Sequence, residues 1–228
     1  MKILKSISAN IKIDGKATEW GDKFQAYNNA TDILYTLANN DDVIYLTVQA
    51  KQKDIISKIL GGGISFTVKN STKETVSVTY PVLRDADQLN VVSFFINKLS
   101  EHQSVNASEF SVDLLNKKLD TKSKLINVAG IKTIADGSIS VYNQDNIKAV
   151  AQFDGNMVYT YELALPLKYL SLPKNGKFSY QIKINESVEP KLSVGDQLPP
   201  PIAVRGGVSP VPSNSFSTDF WGEYTLVK

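Results

Sequence analysis

Two tryptophans carry the residue type best suited to holding a ligand by its flat face. Trp20 closes the run Ile13-Asp14-Gly15-Lys16-Ala17-Thr18-Glu19-Trp20, and Trp221 sits in Asp219-Phe220-Trp221-Gly222; the chain has no others. An indole offers a broad apolar face on which the C–H face of a sugar can stack, while polar neighbours fix the hydroxyls. The competing reading is that both indoles pack the edge of a core and bond their N–H groups to backbone. Large aromatics are buried more often than they bind, so packing is the expectation for each.

Glu162 is the acidic residue best placed for chemistry, because it interrupts an apolar run, Tyr159 to Leu165. Strand alternation sets it on the face opposite Tyr159, Tyr161, Leu163 and Leu165. It could accept sugar hydroxyls or, if buried, act as an acid with a raised pKa. It could equally be a satisfied or solvated carboxylate, which is commoner for strand charges. Asp85-Ala86-Asp87 offers oxygen ligands to calcium, a hard cation that takes 6–8 of them, as does Asp41-Asp42. Neither has the spacing of an EF-hand loop, and turn chemistry accounts for Asp41-Asp42 without a metal. His102 is the single histidine. With no G-x-S-x-G and no zinc-ligand spacing around it, it reads as a surface residue. Gly61-Gly62-Gly63 follows a helical pattern instead of preceding one, so it reads as a helix stop and not a phosphate loop.

Composition narrows the classes. The 228 residues include no cysteine, which removes disulfides, thiolate metal sites and a cysteine nucleophile. A formal net charge of +2 from 25 basic and 23 acidic residues, spread without long runs, marks no nucleic-acid or anionic-membrane surface. No apolar stretch approaches the ~20 residues of a spanning helix. The first ten residues lack the apolar segment of an export signal, which leaves a cytoplasmic protein or a chain trimmed of its signal.

The elements that must position these residues are mainly strands. Ile11 to Ile13, Asp32 to Ala38, Val43 to Ala50, Ile64 to Lys69 and Val76 to Tyr80 alternate as half-buried strands do. Asn39-Asn40-Asp41-Asp42 joins two of them as a hairpin turn. Asp54 to Leu60 reads as a short helix capped by Asp54. Leu89 to Leu99 and Ser111 to Leu119 have helical spacing, making a helical insertion over about 89–119. Strands resume at Lys124 to Val128, Ile139 to Tyr142, Ala149 to Phe153, Val158 to Leu165 and Phe178 to Ile184. Pro166 to Leu170 is one helical turn. The Pro- and Gly-rich stretch of about 189–217 is a long exposed loop, since proline cannot donate to a ladder. Phe220 to Val227 is a last strand, expected to close the sheet begun at the amino end.

Three segments in order, the run ending at Trp20, then Tyr161-Glu162-Leu163-Ala164-Leu165-Pro166-Leu167, then Asp219 to Gly222, resemble the family 9 carbohydrate-binding modules and the related DOMON-type sandwiches. The resemblance implies a β-sandwich, usually exported to the bacterial periplasm or exterior, that binds sugars or, in some relatives, haem. In the sugar-binding members two tryptophans clamp a ring, a role that would fall to Trp20 and Trp221 with Glu162 beside them. Haem would need His102 or a methionine, Met1 or Met157, and His102 lies in the helical insertion, not at a matching framework position.

The expectation is therefore one all-β domain over 1–228, an antiparallel β-sandwich with short inserted helices and no enzymatic activity. Its expected ligand is a glycan, with no cofactor unless calcium sits at Asp85 and Asp87. The alternatives are an interaction protein that docks a partner through the Pro-rich loop, and a glycosidase whose two carboxylates lie about 5–9.5 Å apart.

Overall fold

The structure is a computed structural model, and it describes residues 11–21, 23–70, 73–83, 91, 95, 112–186 and 217–227. The helical residues Val91 and Phe95 apart, residues 84–111 lie outside these, as do 1–10 and 187–216. The Pro-rich stretch except Ser217, Asp85, Asp87 and His102 therefore all fall outside the described residues.

Eleven strands are described, in two antiparallel sheets. The five-stranded sheet holds β1 (Ala26–Asn28), β2 (Ile33–Asn39), β3 (Val43–Ala50), β9 (Tyr159–Pro166) and β8 (Lys148–Phe153), in that spatial order. The six-stranded sheet holds β11 (Thr218–Thr225), β10 (Lys177–Ile184), β4 (Ile64–Lys69), β5 (Thr75–Val82), β6 (Leu125–Ala129) and β7 (Gly137–Ser140). The all-β sandwich expected from the alternating pattern is what forms, and the period of two explains it. Ile44, Leu46, Val48 and Ala50 of β3 face Phe66 and Val68 of β4 across one continuous core, which also takes Tyr159, Tyr161, Leu163 and Leu165. Among the described residues, short helices close the gaps. Helix α1 (Lys53–Gly62) buries Ile56, Ile59 and Leu60. It starts one residue before Asp54, so Gln52 and not Asp54 is the cap. Helix α2 (Val112–Lys122) buries Leu115 and Leu119. Val91 and Phe95, four apart on one helical face, are also buried, and Phe95 stacks on Phe153 at 5.2 Å.

Strand β8 is an edge, and the Asn116 amide treats it as a neighbouring strand would. Its Nδ2 donates to the Phe153 carbonyl and its Oδ1 accepts the Phe153 N–H, both at 2.8 Å. This satisfies backbone groups that would otherwise invite pairing with another chain.

Two further expectations are corrected. Ile11 to Ile13 is not a strand; it finds no ladder partner and crosses the outer face of the five-stranded sheet, where Ile11 is buried against Trp20, Ala38, Tyr45 and Ala164. The last strand does form, but it does not close the sheet begun at the amino end. β11 pairs with β10 along all eight residues, from Thr218 opposite Ile184 to Thr225 opposite Lys177, and forms the edge of the six-stranded sheet. Its inward residues, Phe220 and Tyr224, have core partners in Tyr35, Tyr180 and Phe178, and those contacts fix its place.

Candidate functional site

The first two motifs meet at Glu162. Its side chain leaves the outer face of the five-stranded sheet and is fully buried beneath residues 11–21. Oε2 accepts the backbone N–H groups of Asp14, at 2.9 Å, and Gly15, at 2.8 Å. Gly15 has φ +78°, and a Cβ there would lie 2.8 Å from Gln152 Cγ, so the turn needs glycine for both conformation and approach. Oε1 is buried and has no hydrogen-bond partner. Burial pushes the Glu162 pKa from 4.5 up to about 7; the two amides oppose the shift, and the charges of Glu19 and Asp14 add to it.

Trp20 belongs to the same cover. It is 8% exposed, and its Nε1–H donates to Thr47 Oγ1 at 2.8 Å. The packing expected for it is correct, although its partner is a hydroxyl on β3 and not backbone. Clefts of about 700 and 600 Å³ flank the covering segment, and neither is lined by Trp20 or Glu162. Both residues hold a segment against a sheet, and neither presents a surface to a ligand.

Trp221 is the opposite case and overturns the expectation of core packing. It is 51% exposed. Alternation is the cause: Thr218, Phe220, Gly222 and Tyr224 pair with the inward residues of β10, which leaves Asp219, Trp221 and Glu223 on the outer face. Among the described residues, that face is mostly polar and half-exposed, with Leu125 and Ala129 as its apolar positions on β6. Trp221 stands opposite Gln181, whose Nε2 donates to Asp219 Oδ2 at 2.5 Å. Glu223 pairs with Lys177 at 3.0 Å. Further across, Thr67 and Ser77 share a hydroxyl bond of 3.0 Å, Ser65 and Thr79 one of 2.6 Å, and Ser138 donates to Asn127 at 2.6 Å. A polar outer face is ordinary in an antiparallel sheet, and Trp221 joins Tyr27, Leu114 and Tyr142 as the exposed large hydrophobic side chains among the described residues.

The structure therefore brings Trp20 and Glu162 to one sheet and puts Trp221 on the outer face of the other, so the two indoles do not form a clamp. Sequence reasoning missed Gln181 and the hydroxyl residues of β4 and β5 as neighbours of Trp221. Their alternation with core residues was visible, but only the strand order sets them beside the indole. No group of three or more metal-ligating side chains occurs among the described residues. Met157 is buried in the core. Among the described residues, no helix is long and apolar enough to cross a membrane.

No protein-family profile matches the chain, and no curated protein matches it. Among solved structures it is similar to a family 9 carbohydrate-binding module from Caldicellulosiruptor kristjanssonii in complex with glucose. The identity is 10% and the TM-score 0.35, over 81% of this chain and 78% of that one.

Proposed function

We propose that this protein is a non-catalytic glycan-binding domain whose binding surface is the outer face of the six-stranded sheet, with Trp221 as the stacking platform. The observation that carries the reading is the half-exposed indole in register with Gln181 and next to Asp219. A sugar needs an apolar plate for its C–H face and in-plane donors and acceptors at the plate's rim. The amide of Gln181 and the carboxylate of Asp219 supply both kinds of group. The carboxyl group with the raised pKa, Glu162, is sealed under residues 11–21 and touches backbone amides, so it has no route to a substrate and the reading is of binding without hydrolysis.

Affinity electrophoresis in gels containing soluble polysaccharides, alongside a glycan array, tests the proposal. Retardation by at least one neutral polysaccharide is expected, with no release of reducing sugar on prolonged incubation. Uniform migration in every gel and a blank array would remove the reading. Export to the periplasm or cell exterior belongs to the same proposal and is checked by cell fractionation.

A further inference from the structure

The cross-strand register continues the Trp221–Gln181 pair in a straight line. Gln181 also stands opposite Thr67 of β4, Thr67 opposite Ser77 of β5, and Ser77 opposite Ala129 of β6. Strands lie about 4.8 Å apart, so this row of five positions covers four steps, roughly 19 Å, the length of about four pyranose units. None of the five side chains carries a formal charge. Beside the row, Glu223 pairs with Lys177 and Asp219 accepts from Gln181, while Lys69 and Lys183 stand on the same face, two residues along their strands from Thr67 and Gln181.

The polar members of the row keep bonding capacity after their mutual contacts. In the Thr67–Ser77 pair one hydroxyl donates to the other. One O–H donor and lone pairs remain for a ligand. Gln181 uses one N–H on Asp219 and retains its second N–H and its carbonyl oxygen. The row thus begins with an apolar plate, continues through donors and acceptors at a spacing close to one sugar ring, and ends at the small Ala129, which blocks nothing. The sheet twist of about 20–25° per strand gives the line a gentle coil that an extended chain can follow.

We infer that the row is a run of subsites for an extended, neutral glycan chain, which lies across the strands and is held along its length, with one ring on Trp221 and successive rings over Gln181, Thr67 and Ser77. The inference rests on the proposal that Trp221 binds sugar, and it adds the direction of the chain and the residues that read its length. Its chemistry favours uncharged polymers with flat, extended backbones over coiled ones, whose rings would leave the plane of the sheet after one or two units.

Oligosaccharide ladders of one to six residues provide the test, with an extended series (cello- and manno-oligosaccharides) set against a coiled one (malto-oligosaccharides). Titration calorimetry measures each with the full chain and with the Thr67→Ala/Ser77→Ala and Ser140→Ala variants. Thermal melting confirms that each variant folds. Affinity in the extended series is expected to rise about tenfold or more from one to four residues and then level. The double variant should lower tetrasaccharide affinity at least threefold while leaving mono- and disaccharide affinity unchanged, and Ser140→Ala, off the row, should change neither. Binding that is independent of length, or a double variant that binds tetrasaccharide like the parent, would overturn the row while leaving Trp221 as an isolated platform. No binding in any ladder, together with no retention on polysaccharide, would overturn the row and the platform together.

Discussion

Gly15 donates its backbone N–H to Oε2 of Glu162 at 2.8 Å, although the two residues lie 147 positions apart in the chain. The bond joins a turn in the covering segment to the middle of a strand, and Asp14 adds a second amide to the same oxygen. A carboxylate here organises backbone. It receives two hydrogen bonds on one oxygen and none on the other, in a place shielded from water.

This arrangement makes stability depend on pH in a direction opposite to that of most carboxylates. Burial raises the Glu162 pKa from 4.5 to about 7, so between those values the folded protein holds a proton that the unfolded chain has released. Stability from this group therefore falls as pH rises from about 4.5 to about 7 and is level above. A full one-proton difference changes stability by about 1.4 kcal/mol per pH unit. Urea denaturation at a series of pH values should show this decline, and Glu162→Gln should remove it. A Glu162→Gln variant with the same pH slope as the parent would assign the slope to another group.

Gly222 faces Tyr180 across the β10–β11 ladder, and a Cβ at that position would overlap Cζ and Oη of the tyrosine ring. The ring cannot withdraw cheaply, because it packs against Phe66, Tyr35 and Phe220. Gly222→Ala should cost about 1–3 kcal/mol in a denaturant titration. A variant as stable as the parent would mean that Tyr180 sits elsewhere in solution.

Asn39 ties the end of β2 to the end of the chain. Its Oδ1 accepts the Tyr224 hydroxyl at 3.0 Å and the Val227 N–H at 2.9 Å, and its Nδ2 donates to the Val227 carbonyl at 3.0 Å. Asn39→Ala removes all three bonds at a buried position and should destabilise by about 2–3 kcal/mol. A chain ended at Ser217 should lose still more, since it strips β11 from β10 and uncovers Tyr180 and Phe178. Unfolding of the shortened chain as late and as cooperatively as the full one would refute the anchoring role of β11.

Most of the fold could be read from local pattern, and little of the site could. Ile64 to Lys69 alternates cleanly, and both it and Val43 to Ala50 form with the expected limits. Glu162 could be set opposite the four apolar residues of its strand by counting twos. Ile11 to Ile13 alternates as well, yet it lies on a sheet without joining one. Periodicity reports which face is apolar, whereas a ladder also needs a free neighbouring edge, and that is a long-range property. The exposure of Trp221 had a local signal in the period of two, because it shares a face with Asp219 and Glu223. The general tendency of indoles to be buried outweighed that signal. The row from Trp221 to Ser77 depends on the order β11-β10-β4-β5, in which residues more than a hundred positions apart become neighbours. No local pattern carries that information.

Trp221→Ala, followed in parallel by thermal melting and by retention on polysaccharide, tests the central claim most directly. The indole is 51% exposed, so its removal leaves no core cavity and stability should stay within about 0.5 kcal/mol of the parent. Retention should fall at least tenfold, because the plate that holds the sugar ring is gone. Trp20→Phe should do the reverse, lowering the melting temperature through the lost bond to Thr47 while leaving retention intact. A Trp221→Ala variant that is retained on polysaccharide as strongly as the parent would contradict the account.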